Sequence, residues 1–480
     1  MASASGDLGL RPSNVNLKSR STGELTARDF QEYASPAFSP NGVVADGPQS
    51  VAGLSTITDT PSSAQGRIIR PPPFSRKLRK SLFIRPAETR GAAPGYLQSV
   101  KSALGYSWIN VLLIFNPISW ALYYSHQEDG AVFGTALLGI IPLAGMLGHG
   151  TETVALYTGD ALGGLINASL GNATEFIIAI LLLVKCEIRV VQASLLGGLL
   201  SNLLLVTGMA FIVGGIRFSE QEFRQTAAQL NTSLLTLAVI ALVMPTAFAI
   251  ALEQVAGPDQ ERDVVLQISR GSAVILIAIY ISYMVFQLYS HTMRPQPDVE
   301  AQTQDEDSEK ETPEMNLTVA ICALVAATGL TYVTAEALTD SLEGIGRSGS
   351  VSTEWLGLIL LAIVGNAAEH VTAVFVAYRN KVDLALAVSV GSCIQITLFV
   401  IPILVLIGWI INKPLSLLFD PLEVVTLFLS VLLVRFATED GRTHYMSGVL
   451  LFGTYILIAF SFWYYPQNGT SFARLFECDA

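Results

Sequence analysis

From about residue 107 to residue 464 one long apolar stretch follows another, and no other feature of the chain restricts its fold as much. A helix needs about 20 apolar residues to cross the hydrocarbon core of a bilayer. Eleven segments fit, near 107–124, 131–157, 161–184, 190–215, 226–252, 264–291, 315–340, 353–378, 382–411, 420–437 and 444–464. The runs are continuous rather than alternating, which argues against a β-barrel. Only 14% of the residues are charged, against about 25% in soluble proteins. The expected fold class is therefore an all-α membrane protein of about 11 transmembrane helices.

The charge that exists is gathered at the edges of this pattern. Residues 1–105 are rich in Ser, Pro, Gly and Arg and read as a disordered tail. Its later part is basic (Arg67, Arg70, Arg76, Lys77, Arg79, Lys80, Arg85, Arg90, Lys101). Basic residues just before a first span hold that end in the cytosol. Residues 1–30 lack the apolar core of a signal peptide, so the first span is expected to direct insertion. Residues 292–314 form an acidic linker; within 298–314 there are eight acids and one base, Lys310. With a cytosolic N-terminus the linker is cytosolic too, either as a plain connection or as a surface that attracts cations. A short C-terminal tail, 466–480, falls on the far side. Cys186, Cys322, Cys393 and Cys478 lie far apart with no metal-binding spacing and are read as small apolar residues.

The linker divides the spans. A leading helix and five spans occupy 106–291, and five more occupy 315–465. Five is odd, so the second set enters from the opposite side and forms an inverted repeat. Aligning 162–206 with 356–400 at a constant offset of 194 leaves 12 of 45 positions identical without a gap. Composition explains shared Leu and Ala, but not an Asn and a Glu shared inside two apolar runs. Inverted repeats are typical of secondary transporters, with the substrate site at the repeat interface.

The shared core is GNATEF at 171–176 and GNAAEH at 365–370. A carboxylate deep in the bilayer is costly without a partner, so Glu175 and Glu369 need a reason to be there. Asn172 and Asn366 stand three residues before them, on the same helical face. Gly171 and Gly365 allow a broken helix whose carbonyl oxygens face a cavity. The resulting donor set is all oxygen, which suits Ca2+; no His or Cys cluster offers a site for zinc or copper. Two glutamates balance one Ca2+ or two protons equally well, as an antiporter requires. Ser201 and Gln395 align in the next span of each half and either complete the shell or bridge helices. Ser392 beside Gly391 is similar. Glu152, Glu343, His149 and His370 are candidates for a proton relay.

At these motifs the chain resembles the calcium/proton exchanger (CAX) family of the cation/calcium exchanger superfamily. GNATEF, GNAAEHVTAV, GHGTE, LLSNLLLV at 199–206 and GSCIQITLFV at 391–400 carry the resemblance, which runs from about 107 to 464. It implies a leading helix before two five-helix repeats, and Ca2+ loading of an acidic compartment, the vacuole in fungal members. It also implies Glu175 and Glu369 as ion ligands, with Asn172, Asn366, Gln395 and the Gly171 and Gly365 backbones at matching positions. Gly198 departs from it, standing where a Ser is common. Ca2+ and H+ are then cargo, the lipid bilayer is the one other partner expected, and neither a cofactor nor nucleic acid is expected. The competing readings are a Na+-coupled exchanger of the same superfamily, which would carry further hydroxyl and acidic ligands, and a cation channel. A hydrolase is disfavoured by the lack of GxSxG and HExxH, and an ATP-driven pump by the lack of a Walker loop.

Overall fold

The computed structural model describes residues 93–158, 163, 166, 170–252, 258–287, 313–348, 351–465 and 478. The expected tail over 1–92, most of the acidic linker and residues 466–477 lie outside the described residues. Residues 93–105 of the expected tail are described. Helix α1 (Tyr96–Gly105) forms within the last ten residues of that stretch, because Ser99 and Ala103 bury one side of it.

A 3-10 turn (Trp108–Ile114) leads into α2 (Phe115–Tyr124), followed by α3 (Asp129–Tyr157) and α4 (Ala173–Val184). Helix α5 (Ile188–Leu200) passes through a π-helical turn (Ser201–Val206) into α6 (Thr207–Arg217), then come α7 (Gln225–Leu252) and α8 (Pro258–Val285). Beyond the linker lie α9 (Leu317–Ser348), α10 (Thr353–Trp355), a π-helical turn (Leu356–Leu361) and α11 (Ala362–Gly365). Next are α12 (Ala367–Tyr378), α13 (Val382–Gln395), a third π-helical turn (Ile396–Val400) and α14 (Ile401–Ile410). Helices α15 (Pro421–Ala437) and α16 (Tyr445–Trp463) complete the bundle. Two short strands, β1 (Gln221–Glu222) and β2 (Arg442–Thr443), pair antiparallel with Gln221 opposite Thr443.

The molecule is an all-α, multi-spanning membrane protein. Among the described residues, seven helical stretches are long and apolar enough to cross a bilayer, or eight if the bent stretch from α10 to α12 counts as one. That stretch bends by 52° at Asn366, while α4 is a shorter apolar helix. Much of the apolar surface faces outward: Ile240, Val274, Ile275, Leu429 and Leu457 are all exposed, as lipid contact demands.

Side-chain contacts sort the helix ends into two faces. On the proximal face, the Tyr157 hydroxyl at the end of α3 donates to Met315 O (2.8 Å) and Asn316 N donates to Ser99 Oγ (3.0 Å). On the distal face, Lys185 after α4 holds Asp340 of α9 and the Thr339 hydroxyl, and the Tyr123 hydroxyl at the end of α2 donates to the same Asp340 carboxylate. Arg189 at the start of α5 pairs with Glu354 of α10 at 3.1 Å.

The constant offset of 194 recurs in the fold. Helices α4 and α12 begin at Ala173 and Ala367, and α5 and α13 at Ile188 and Val382. Both turns between them pass through a left-handed residue, Cys186 (φ 65°) and Asn380 (φ 62°). π-Helical turns follow at 201–206 and 396–400. The two halves approach closely at Gly197, where an added Cβ would collide with the backbone carbonyl of Leu358. Close approach at small residues is how helices pack when lipid supplies no hydrophobic drive.

One reading of the cysteines is corrected here. Cys186 and Cys478 are not isolated small apolar residues; they meet in the fold, with their Cα atoms 6.4 Å apart. Their 292-residue separation hid the pairing from any spacing argument.

Candidate functional site

Both motif helices are interrupted at the asparagine. Asn172 (φ −103°, ψ 33°) and Asn366 (φ −92°, ψ 17°) leave helical geometry, and α4 and α12 start at the next residue. Glu175 and Glu369 thus fall in the first turn of their helices, where aligned backbone N–H groups favour negative charge. The asparagine side chains do not cap these helices. They turn sideways into a polar chain through the centre of the bundle.

That chain is continuous. Asn172 Nδ2 donates to Gln395 Oε1 (2.8 Å), and Ser392 Oγ donates to Asn172 Oδ1 (2.9 Å). Asn202 Nδ2 donates both to Ser392 Oγ (3.1 Å) and to Asn366 Oδ1 (2.9 Å). Asn366 Nδ2 returns to Ala362 O (2.8 Å). Asn202 and Asn366 are fully buried. Buried amides at these positions hold the broken segments in register, because each unmet group would cost about 1–3 kcal/mol.

The carboxyls sit crosswise. Glu369 and Ser392 line a cavity of about 520 Å³ together with Gly171, Asn172 and Gln395. Glu175 faces Gly365 and Asn366 across a small void on the other side; a Cβ at Gly365 would stand 3.2 Å from Glu175 Oε1. Each glutamate therefore faces the Gly-Asn pair of the opposite motif. Glu175 Oε1 and Glu369 Oε2 are buried with no hydrogen-bond partner. Among the described residues no three His, Cys, Asp or Glu side chains gather as a resident metal would need. The carboxyl, amide and hydroxyl donors that line the two spaces are oxygens, the kind of donor hard cations take.

Of the other candidates, His149 and Glu152 line the large cavity on α3. The Tyr106 ring stacks on His149 (centroids 4.8 Å apart), and His149 Nε2 stands 3.5 Å from Glu314 Oε2. The last acid of the linker thus reaches the cavity's proximal mouth. Ser201 and His370 are not among the cavity-lining residues. Ser201 Oγ lies 3.3 Å from His370 Nε2, and the other ring nitrogen meets Asn366 O. Glu343 lies near the distal end of α9, also outside that lining. Asn202 and Tyr106 were not singled out in the sequence, and Asp340 was left unassigned there. Asn202 carried a usable signal, a lone amide within the apolar run LLSNLLLV at 199–206.

The model of the sodium/calcium exchanger protein family matches residues 130–289 and 319–464. The chain is 41% identical to a vacuolar calcium ion transporter of Cryptococcus neoformans, covering 85% of this chain and 81% of that protein. It is equally similar, at 41%, to a vacuolar calcium ion transporter of Schizosaccharomyces pombe, covering 76% and 87%. Among solved structures, that of native YfkE superposes with a TM-score of 0.63 at 31% identity, covering 74% of this chain and 99% of YfkE.

Proposed function

This chain belongs to the sodium/calcium exchanger protein family, and from that premise we propose that it is a secondary active antiporter exchanging Ca2+ for H+ across a vacuolar-type membrane. One observation carries the mechanism: Glu175 and Glu369 each face the Gly-Asn pair of the other motif, and each keeps a buried oxygen unmet.

Two carboxylates carry two negative charges. One Ca2+ or two protons cancel them, and either loaded site is neutral enough to be buried. The empty site is not, because two like charges at close range repel in a medium of low dielectric. Reorientation is therefore confined to loaded forms, which gives coupled exchange of Ca2+ for protons. In this reading Asn172, Asn366, Gln395, Ser392 and the Gly171 and Gly365 carbonyls supply the remaining oxygens. Ser201 and His370 steady the α12 break from behind. His149 and Glu152 pass protons between the proximal mouth and Glu369; Glu343 stands outside this route.

We further propose eleven spans: α2 with its 3-10 turn leads, and α3–α8 and α9–α16 supply five each. The alternating faces support the inversion, since α4 ends at Lys185 on the distal face whereas α12 ends beside Arg217 and Gln221 at the opposite end of α5–α6. The proximal face, with the N-terminus and the acidic linker, is cytosolic.

The test is proton-gradient-driven uptake of radiolabelled Ca2+ into vesicles, comparing wild type with Glu175→Gln and Glu369→Gln. Each variant is expected to insert normally and to lose exchange. Near-normal uptake by both would remove the site. A Na+ jump in place of a pH jump is expected to drive no uptake, and a Na+ response would favour the sodium-coupled alternative.

A further inference from the structure

Two cysteines far apart in the chain meet in the fold. Cys186 occupies the left-handed position of the α4–α5 turn, and Cys478 lies close to the C-terminus. Their Cα atoms are 6.4 Å apart, inside the range of about 4.4–6.8 Å that a disulfide spans. Among the described residues Cys322 and Cys393 remain free.

We propose that Cys186 and Cys478 form a lasting intramolecular disulfide on the distal face, a covalent strap from the C-terminus to the far end of the helix that carries Glu175.

Two neighbours place the strap. Lys185, one residue before Cys186, is held by Asp340 and Thr339 of α9. Arg189, three residues after it, is held by Glu354 of α10. The turn is thus a joint where three separate parts of the bundle are fastened, and the disulfide is the covalent fastening. Cys186 follows Glu175 by eleven residues, nine of them to the end of α4 at Val184, about 14 Å of helix at 1.5 Å per residue. The strap therefore acts on the end of a rigid rod whose other end bears an ion-binding carboxyl.

The faces agree with the chemistry. The cavity opens beside Tyr106, His149 and Glu314 on the proximal face, whereas the cysteines lie at the distal end of α4. Disulfides persist in secretory compartments and are reduced in the cytosol. Placing Cys186 and Cys478 together on the non-cytosolic side rests on the orientation proposed above. In forming the bond the two thiols give up two protons and two electrons to a disulfide-bearing oxidoreductase, whose own disulfide becomes a dithiol.

The experiment uses the full-length chain in membranes, with Cys322→Ser and Cys393→Ser so that one pair remains. A protease site inserted in the linker over 292–314 cuts between the two cysteines. After cleavage and denaturation the fragments are expected to migrate together without reductant and to separate with it. Cys186→Ser or Cys478→Ser is expected to separate them in either condition. Fragments that part without reductant overturn the proposal, as does a band of twice the full length that reductant collapses. Thermal unfolding in detergent gives a second readout. Both single variants and the double variant are expected to lose the same few degrees, because all three break one bond. Losses that add would instead mean two unrelated packing roles and would overturn it. Neither readout requires transport, so loss of Ca2+/H+ exchange and absence of the strap give separate answers.

Discussion

Asn202 is fully buried, donates to two oxygens and leaves its own oxygen unmet. It joins the Asn366 break to Ser392 and, through Ser392, to Asn172. Asn202→Leu removes both donations and leaves two buried acceptors short of a partner, at a cost of about 1–3 kcal/mol. The expected result is a Ca2+ affinity roughly tenfold lower in vesicle uptake, with normal insertion. Unchanged affinity would mean the amide chain does not hold the site. Gly365 sets a second limit at the same scale. A methyl there would stand 3.2 Å from Glu175 Oε1, inside the space a bound cation needs. Gly365→Ala is expected to raise the Ca2+ concentration needed for half-maximal uptake while the protein yield stays normal.

Helices α5 and α13 occupy matching places, yet their aligned glycines face different surroundings. An added Cβ at Gly197 runs into the Leu358 backbone, whereas at Gly391 it meets nothing within 4 Å. Gly197→Ala is expected to lower the thermal unfolding midpoint in detergent, and Gly391→Ala to leave it unchanged. Equal effects would show that alignment, not contact, predicts the cost. This pair also marks how far the sequence could be read. Apolar runs of bilayer length located the helices, and an Asn and Glu repeated at a constant offset located the crossed carboxyls, because both signals are periodic or costly in lipid. The Cys186–Cys478 pairing, the stacking of Tyr106 on His149 and the grip of Lys185 on Asp340 left no such mark. Each joins residues distant along the chain, and nothing in either local stretch names the partner. The split between Gln395 in the cavity and Ser201 behind α12 was equally hidden, since the two align.

Across the whole bundle the distal face is fastened while the proximal side holds the cavity. Asp340 receives both Lys185 and the Tyr123 hydroxyl, so one carboxylate ties α2, α4 and α9 together. Asp340→Asn removes the ion pair and is expected to lower the unfolding midpoint by about 2–4 °C. With Cys322 and Cys393 replaced by Ser, it should also increase labelling of a cysteine introduced at the neighbouring buried Ser341 by a membrane-impermeant maleimide applied from the distal side. Labelling no faster than in a matched Asp340 protein would show that this clasp does not keep that side closed. The amide chain has a consequence on the same scale. Position 202 in the first half is Asn, while its counterpart at 396 is Ile. Were the linings identical, the inward- and outward-facing forms would be mirror images of equal depth, and the idle protein would divide its time evenly between them. Unmatched polar groups such as this amide and the aligned Ser201 and Gln395 tilt that balance, so the resting carrier waits with its door toward a preferred side.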